Sequence, residues 1–472
     1  MKALCDMGGN LGSSSYASQP RCQVRELNRS FDLVELHAGN PARYPHLLQS
    51  LAHGRYDLLF AFPDESLRLD PSGALSGPAE AQPAHGDFLA AFDRWWSSSS
   101  TDNSAREDLP FTGGWFVYLG YELAAQIEPC LRLPRAGGVL PVAIATRFAT
   151  AIVRDHMKHT TAIVAEAGHE GRVAAIERDI TGLSSGDRRY REGLRLERLI
   201  EAPGEHYLDA VTRIHRYIRE GDVFQVNLSR GWRITARDTV DAAALYKNLR
   251  RHNPAPYSGI ARFGDAAIIS SSPERLVRVR GRTVETRPIA GTRPRGRNKI
   301  TDSDYSRELL AHPKERAEHV MLIDLERNDL GRICIPGSVV VDEFMVLESY
   351  AHVHHIVSNI KGELRGDVSP GQVLKAMFPG GTITGCPKVR CMEIIAELEQ
   401  QPRDAYTGSM GYINRDGSMD MNILIRSMIA SANGVHFRAG AGIVADSVPE
   451  AELAETRAKA LGLLHALGVD DT

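Results

Sequence analysis

Apolar residues fall into short strand-length runs through the first third of the chain and into longer helix-period stretches after about residue 205. Asp57-Leu58-Leu59-Phe60-Ala61-Phe62 and Trp115-Phe116-Val117-Tyr118-Leu119 predict buried strands, with a loop at Ser97 to Ser100 between them. Residues 166 to 204 are charged and polar and predict a connecting segment. Beyond it come a helix near 205 to 219, a strand from Val223 to Leu228, a hairpin from Ala266 to Ile289 turning at Gly281, a helix near 313 to 330 and a helix opening at Pro387. Strands and helices arrive in blocks without strict alternation. That pattern predicts an α+β fold with antiparallel sheets rather than a doubly wound parallel sheet.

The first 22 residues, rich in Gly, Ser and polar side chains without a period, predict a disordered leader, with structure beginning near Phe31. The expected division is residues 1–22 as leader, 23–165 as a first folded region, 166–204 as connector and 205–465 as a catalytic domain.

At 472 residues and 43% hydrophobic, the chain has ample material for a core, and two packed halves suit its length. A formal net charge of -3 with scattered Lys and Arg leaves no basic patch for nucleic acid or an anionic membrane. No apolar run reaches the roughly 18 residues of a membrane span, and the N-terminus lacks a signal-peptide pattern, so a cytoplasmic small-molecule enzyme is expected. The six cysteines form no CxxC pair and read as reduced thiols.

Candidate chemistry concentrates between Ala439 and Lys459. Gly440 and Gly442 read as a glycine-rich turn, and Ser447 with Glu450 has capping-box spacing for a following helix. On that helix Glu452, Glu455 and Lys459 share one face. Two carboxylates and an ammonium there read either as a Mg2+ and anion site or as a solvated face with an i,i+4 pair. Glu315 and Glu318 form a second such pair on the helix near 313 to 330, where acidic residues also suit a first turn. Pro379 to Lys388 fails as a P-loop, because Cys386 stands where the lysine is required; it still offers free backbone N–H groups and Lys388 to a carboxylate or phosphate. Glu274, at a strand end, is a candidate general acid or a plain surface turn. Of His354 and His355, strand alternation turns one inward, as core residue or catalyst.

Seven segments in order resemble the chorismate-utilising family. They are Val223-Phe224-Gln225-Val226-Asn227-Leu228-Ser229, Ser272-Pro273-Glu274, the run from Arg287 to Arg295, Ala317 to Leu325, Val353 to Ser358, Gly381 to Arg390, and Ala439 to Ser447. The first half resembles the family's amino-transferring members more weakly, through Leu47 to Ser50 and Gly114 to Glu122. The resemblance implies an anthranilate-synthase-like fold of two packed antiparallel sheets flanked by helices. It implies that Glu318 and Glu455, supported by Glu315 and Glu452, hold Mg2+ against the substrate's ring carboxylate. Gly440, Gly442, Tyr412, Arg426, Lys388 and Lys459 would hold the pyruvyl ether and carboxylates, with Gly291 and Thr292 beside the ring. Glu274 would be the acid that helps the C4 hydroxyl leave, and His355 would stand near the reacting ring.

Two positions discriminate within the family. Members that add water carry a Lys base where this chain has Gln225, which cannot serve as a base near neutral pH, so ammonia is the expected nucleophile. Many aminodeoxychorismate synthases carry a covalent Lys where this chain has Ala290, as anthranilate synthases do. The dispersed similarities resemble aminodeoxychorismate synthases, and the expected reaction is amination of chorismate at C4. No glutaminase constellation is visible, so a separate glutamine amidotransferase subunit is the implied ammonia source. Leu47 to Ser50 resembles the part of the family that binds tryptophan, or is a plain strand. An idle chorismate-binding protein is the alternative from another class, and the complete set of acidic, histidine and lysine positions argues against it.

Overall fold

The computed structural model describes residues 22–469 apart from 53, 82–85, 102–107, 184–193, 297, 350–352 and 433. Strict alternation along the strands explains the layering. On the strand Gly114–Leu119, Trp115, Val117 and Leu119 point into one apolar cluster while Phe116 and Tyr118 point into another. The strand Tyr56–Ala61 divides the same way, Leu58 and Phe60 joining Phe116, and Leu59 and Ala61 facing the opposite side. Each strand is therefore buried on both faces, which explains its nearly continuous apolar sequence. The result is two antiparallel sheets packed face to face, each covered outside by helices, as the sequence predicts.

Among the described residues the first sheet has 12 strands. It runs from Cys22–Leu27 through Thr160–Glu166, Thr150–Asp155, Tyr56–Ala61 and His46–Gln49 into Tyr257–Phe263, Ala266–Ser272, Ser427–Ser431, Gly434–Ile443, Gln225–Ala236 and Leu196–Glu201, with Gly385–Cys386 on the Gln225 strand. The second sheet has 11 strands and likewise draws on both halves, joining Gly114–Leu119 to Ser409–Asn414. The two halves of the chain thus interleave in shared sheets. Phe60, Phe148, Ile268, Met410 and Leu424 fill the space between.

Several local expectations change. The described chain begins with the strand Cys22–Leu27, paired to Thr160–Glu166, so structure starts before Phe31; the rest of the leader lies outside the described residues. Ser97 to Ser99 close the helix Phe88–Ser99 instead of forming a loop, because Phe88, Leu89, Phe92 and Trp95 give that helix a buried face and Ser98 Oγ donates to the Trp95 carbonyl at 2.8 Å. The 166–204 segment contains the helix Glu170–Gly182, which buries Val173, Ile176 and Ile180, and the strand Leu196–Glu201, which lengthens the first sheet. Its charged outer face masked both elements. The expected hairpin turns at Gly281 as predicted, but it joins only Arg275–Arg280 to Thr283–Arg287; Ala266–Ser272 belongs to the other sheet.

The last helix, Pro449–Ala466, starts where expected without the capping box. Ser447 Oγ instead accepts the Val444 amide at 3.1 Å, and Pro449, which has no N–H to satisfy, occupies the first turn. Pro387 likewise precedes its helix, Lys388–Glu399, as the N-cap. The described cysteines are free thiols, and no described helix is long and apolar enough to cross a membrane.

Candidate active site

The site is built where the Gln225–Ala236 and Gly434–Ile443 strands pair, setting Asn227 opposite Gly442 and Ser229 opposite Gly440. A Cβ on Gly440 would lie 2.5 Å from the Leu228 carbonyl and 2.7 Å from the Tyr406 hydroxyl, and one on Gly442 would lie 2.2 Å from Gln225 Nε2. Glycine is required at Gly440, where backbone is in the way, whereas a larger residue at Gly442 would displace the Gln225 side chain. Gln225 Oε1 and Asn227 Oδ1 are buried here without a hydrogen-bond partner.

Glu274 sits at the crossover where the chain leaves Ala266–Ser272 in one sheet for Arg275–Arg280 in the other. That crossing pulls its carboxyl inside, 5% exposed, which removes the surface-turn reading. Burial pushes it up to about 7, and Thr382, the Ile289 backbone, Arg426 and Lys459 offset only part of that rise. A carboxyl so placed carries a proton near neutrality and can give it away. Its Oε1 has no partner.

Arg426 holds a left-handed backbone conformation, φ 52°. Its half-buried guanidinium makes no hydrogen bond or ion pair among the described residues; burial lowers its pKa, and Tyr406, Glu455 and Glu274 act against that. A cation held without an internal partner is suited to a bound carboxylate. Lys459 Nζ lies 2.6 Å from Glu455 Oε1 and 3.1 Å from the Gly440 carbonyl, tying the last helix to the glycine strand.

His355 and His354 are both buried, contrary to the one-inward expectation; the helix Lys299–Ala311 covers the His354 side through Asp302. His354 is spoken for by Asp302, at 2.9 Å, and Ser349, at 2.8 Å. Burial, reinforced by Arg426, pushes His355 down to about 4 against a backbone contact from Gly291, so its ring is neutral. Ala290 and Thr292 lie on the paired strand, Ala290 opposite Ile356 and Thr292 opposite His355. Gly291 between them takes φ 69°, and a Cβ there would stand 2.9 Å from Glu315 Oε2.

The four acidic candidates come from two helices, Pro313–Gly331 and Pro449–Ala466. Glu315 accepts Arg293 Nη1 at 3.2 Å, Glu318 is half-buried, Glu452 is buried, and Glu455 is exposed and paired with Lys459. Among the described residues no three His, Cys, Asp or Glu side chains gather into a metal cluster. The donors nevertheless suit Mg2+, which takes hard oxygen ligands, commonly one or two carboxylates, and completes its shell with water and substrate.

Two sequence-assigned binding residues have other neighbours. Lys388 Nζ is 2.5 Å from Asp329 Oδ2 in a buried ion pair, so its charge is already neutralised. Tyr412 faces a different cavity, of about 520 Å³, with Gln49, Ser50, Tyr257, Arg275 and Met410. Strand alternation on Ser409–Asn414 turns it there. Tyr406, which the sequence reading passed over, is the tyrosine beside Gly440 and Arg426. It is held by the Arg403 guanidinium, 5.4 Å from its ring, and Arg403 pairs with buried Glu399 at 2.7 Å. Glu326 and Asp329 were also missed. Their i,i+3 spacing repeats that of Glu315 and Glu318 three turns further along the same helix face, a signal present in the sequence.

Residues 57–465 match the family model described as chorismate binding enzyme. Aminodeoxychorismate synthase component 1 of Bacillus subtilis is 38% identical over 436 residues, covering 90% of this chain and 92% of that protein. Anthranilate synthase component 1 of Thermus thermophilus is 43% identical over 364 residues, covering 76% of this chain and 78% of that protein. The crystal structure of anthranilate synthase component I from Streptococcus pneumoniae superposes with a TM-score of 0.77 at 31% identity, over 87% of this chain and 92% of that one.

Proposed function

The chain belongs to the chorismate-binding enzyme family, and from that premise we propose that it is the synthase component of an aminodeoxychorismate synthase. It aminates chorismate at C4 with ammonia, supplying 4-amino-4-deoxychorismate for para-aminobenzoate and folate synthesis in the cytoplasm. The observation that carries the chemistry is Glu274, a buried acid raised to about 7 beside two cations, Arg426 and Lys459. Loss of hydroxide from an allylic carbon is slow without a proton, and Glu274, raised to about 7, is still partly protonated near neutrality.

The other residues have matching tasks. Arg426, Lys459 and the close-packed Gly440 and Gly442 backbone receive the carboxylates and pyruvyl ether, with Tyr406 in the place first given to Tyr412. Neutral His355 borders the ring without adding charge. Gln225 presents an unpaired amide oxygen that can accept from ammonia but cannot deprotonate water. Glu318 and Glu455, with Glu315 and Glu452 behind them, would hold Mg2+, which supplies electrostatic neutralisation of the substrate's ring carboxylate.

The folate-branch reading is supported by the Bacillus subtilis relative, whose match extends over 90% of the chain. Ala290 and the 43% identity to the Thermus thermophilus protein favour anthranilate synthase as the second reading. Relatives named as component 1 support a partner subunit, a glutamine amidotransferase that delivers ammonia. The cavity beside Gln49 and Ser50, of about 520 Å³, is the place we assign to a tryptophan ligand. The direct test of the family chemistry is chorismate loss by the purified chain. It should require both Mg2+ and an ammonium salt and should proceed without the amidotransferase; chorismate left intact under those conditions would refute it.

A further inference from the structure

We propose that Arg403 is a positioning residue for substrate binding: its buried guanidinium fixes Tyr406 and the glycine strand in the arrangement that receives chorismate. This rests on the reading of that strand as the place where chorismate binds. Arg403 lies just beyond the helix Lys388–Glu399, and its side chain is 1% exposed. Nε and Nη2 hold the two Glu399 oxygens at 3.0 and 2.7 Å. Nη2 also donates to the Asn227 carbonyl at 2.7 Å, and Nη1 to the Ile383 carbonyl at 3.1 Å and the Thr407 hydroxyl at 3.3 Å. The whole donor capacity of the guanidinium is committed.

Each acceptor belongs to a segment that borders the site. Asn227 stands opposite Gly442. Ile383 lies between Thr382 and Thr384, whose carbonyls take the Asn227 side-chain and backbone amides at 3.4 and 2.9 Å. Thr407 follows Tyr406, whose ring lies 5.4 Å from the guanidinium. Glu399 carries the link onward. It accepts the amide and hydroxyl of Ser229, opposite Gly440, each at 2.8 Å, and Arg438 of the glycine strand at 2.8 Å. The first half of the chain closes the other side: Glu122 Oε1 accepts the Arg403 amide at 2.8 Å, and the Tyr121 ring lies 4.9 Å from the guanidinium.

The Arg403–Glu399 pair is ionised. Burial works to raise the Glu399 pKa, but Arg403 and Arg438 together bring it below the usual carboxylate value. A buried ion pair is weak evidence for stability, since apolar residues of the same volume often serve as well. An apolar side chain cannot, however, hold two carbonyls, a hydroxyl and a carboxylate with one rigid fork. What the fork supplies is the relative placement of Tyr406, the Asn227 strand and the glycine strand.

Arg403→Lys keeps the charge beside Glu399 but replaces the fork by a single ammonium, which cannot reach all these acceptors at once. Arg438 still pairs with Glu399, so no buried carboxylate is left alone. With Mg2+ and saturating ammonium salt, the Lys variant should raise KM for chorismate about tenfold or more, with kcat within about threefold of the parent. Thr407→Val removes one acceptor and keeps the shape; it should raise KM about threefold, and it carries the test where the Lys variant does not fold. In a Tyr406→Phe background each substitution should raise KM less than it does alone, because the arginine acts through the tyrosine. An unchanged KM in the folded variants, a loss confined to kcat, or effects that simply add to that of Tyr406→Phe would overturn the proposal while leaving the proposed function intact. A parent enzyme that consumes no chorismate would overturn both.

Discussion

Lys388 and Asp329 form an ion pair at 2.5 Å in which 13% and 8% of the two side chains are exposed. This pairing turns a sequence-assigned substrate ligand into part of the frame beneath the acid site. Replacing Lys388 by Met would leave Asp329 buried with only the more distant Arg332 to offset its charge, beside Glu326. We expect a loss of about 3 kcal/mol in denaturant unfolding, with KM for chorismate changed less than threefold in the enzyme that remains folded. A large rise in KM at unchanged stability would return Lys388 to the substrate.

Glu274→Gln should lower kcat by about 10²–10⁴, the usual contribution of a general acid, while chorismate binding measured calorimetrically stays near the parent. The pH dependence follows from the raised pKa. The acid form predominates below about 7, so kcat/KM at fixed unprotonated ammonia should fall as pH rises through that value. Glu274 also binds its proton more tightly folded than unfolded, so its contribution favours the native state at low pH and is lost as pH rises from the ordinary carboxylate range towards 7. The Gln variant should lack that part of the stability profile. His355, already neutral above about 4, should add no ionisation between pH 6 and 9.

Chelation with EDTA should abolish turnover, and Mg2+ should restore it. Glu455→Gln should weaken Mg2+ binding at least tenfold in calorimetry with chorismate present, while the fold is kept, since Glu455 is exposed and its ion pair with Lys459 is of the surface kind. Unchanged Mg2+ affinity would remove Glu455 from the metal site.

The proposed amination, with Ala290 beside the ring, has no lysine there to attack it covalently. Intact-mass spectrometry of acid-quenched working enzyme should therefore show only the unmodified chain, with ammonia attacking directly. A chorismate-sized adduct on any lysine would contradict this.

The layered fold was legible because its signals are local: the 57–62 and 115–119 runs and the Gly281 turn carry their own periodicity. What escaped depended on partners distant in sequence. The helix Glu170–Gly182 has only Val173, Ile176 and Ile180 as a buried face, which a charged surround conceals. Tyr412 lies on the strand Ser409–Asn414 and Tyr406 in the turn before it, and only the packing of that turn against the glycine strand puts Tyr406 beside Gly440. Motifs raised Glu274 and His355 as candidates, helix spacing raised Lys459 and the wider resemblance raised Arg426, but the burial that lifts the Glu274 pKa and keeps His355 neutral comes from the crossing of two sheets. The pairing of Lys388 with Asp329 escaped because the two stand on different helices.

The measurement closest to the central claim is product identity. The chain is incubated with chorismate, Mg2+ and an ammonium salt at mildly alkaline pH, and the products are separated by liquid chromatography with mass detection. An aminated product that retains its enolpyruvyl group, and yields 4-aminobenzoate when aminodeoxychorismate lyase is added, is the predicted result. Direct release of 2-aminobenzoate and pyruvate would contradict it and make the enzyme an anthranilate synthase.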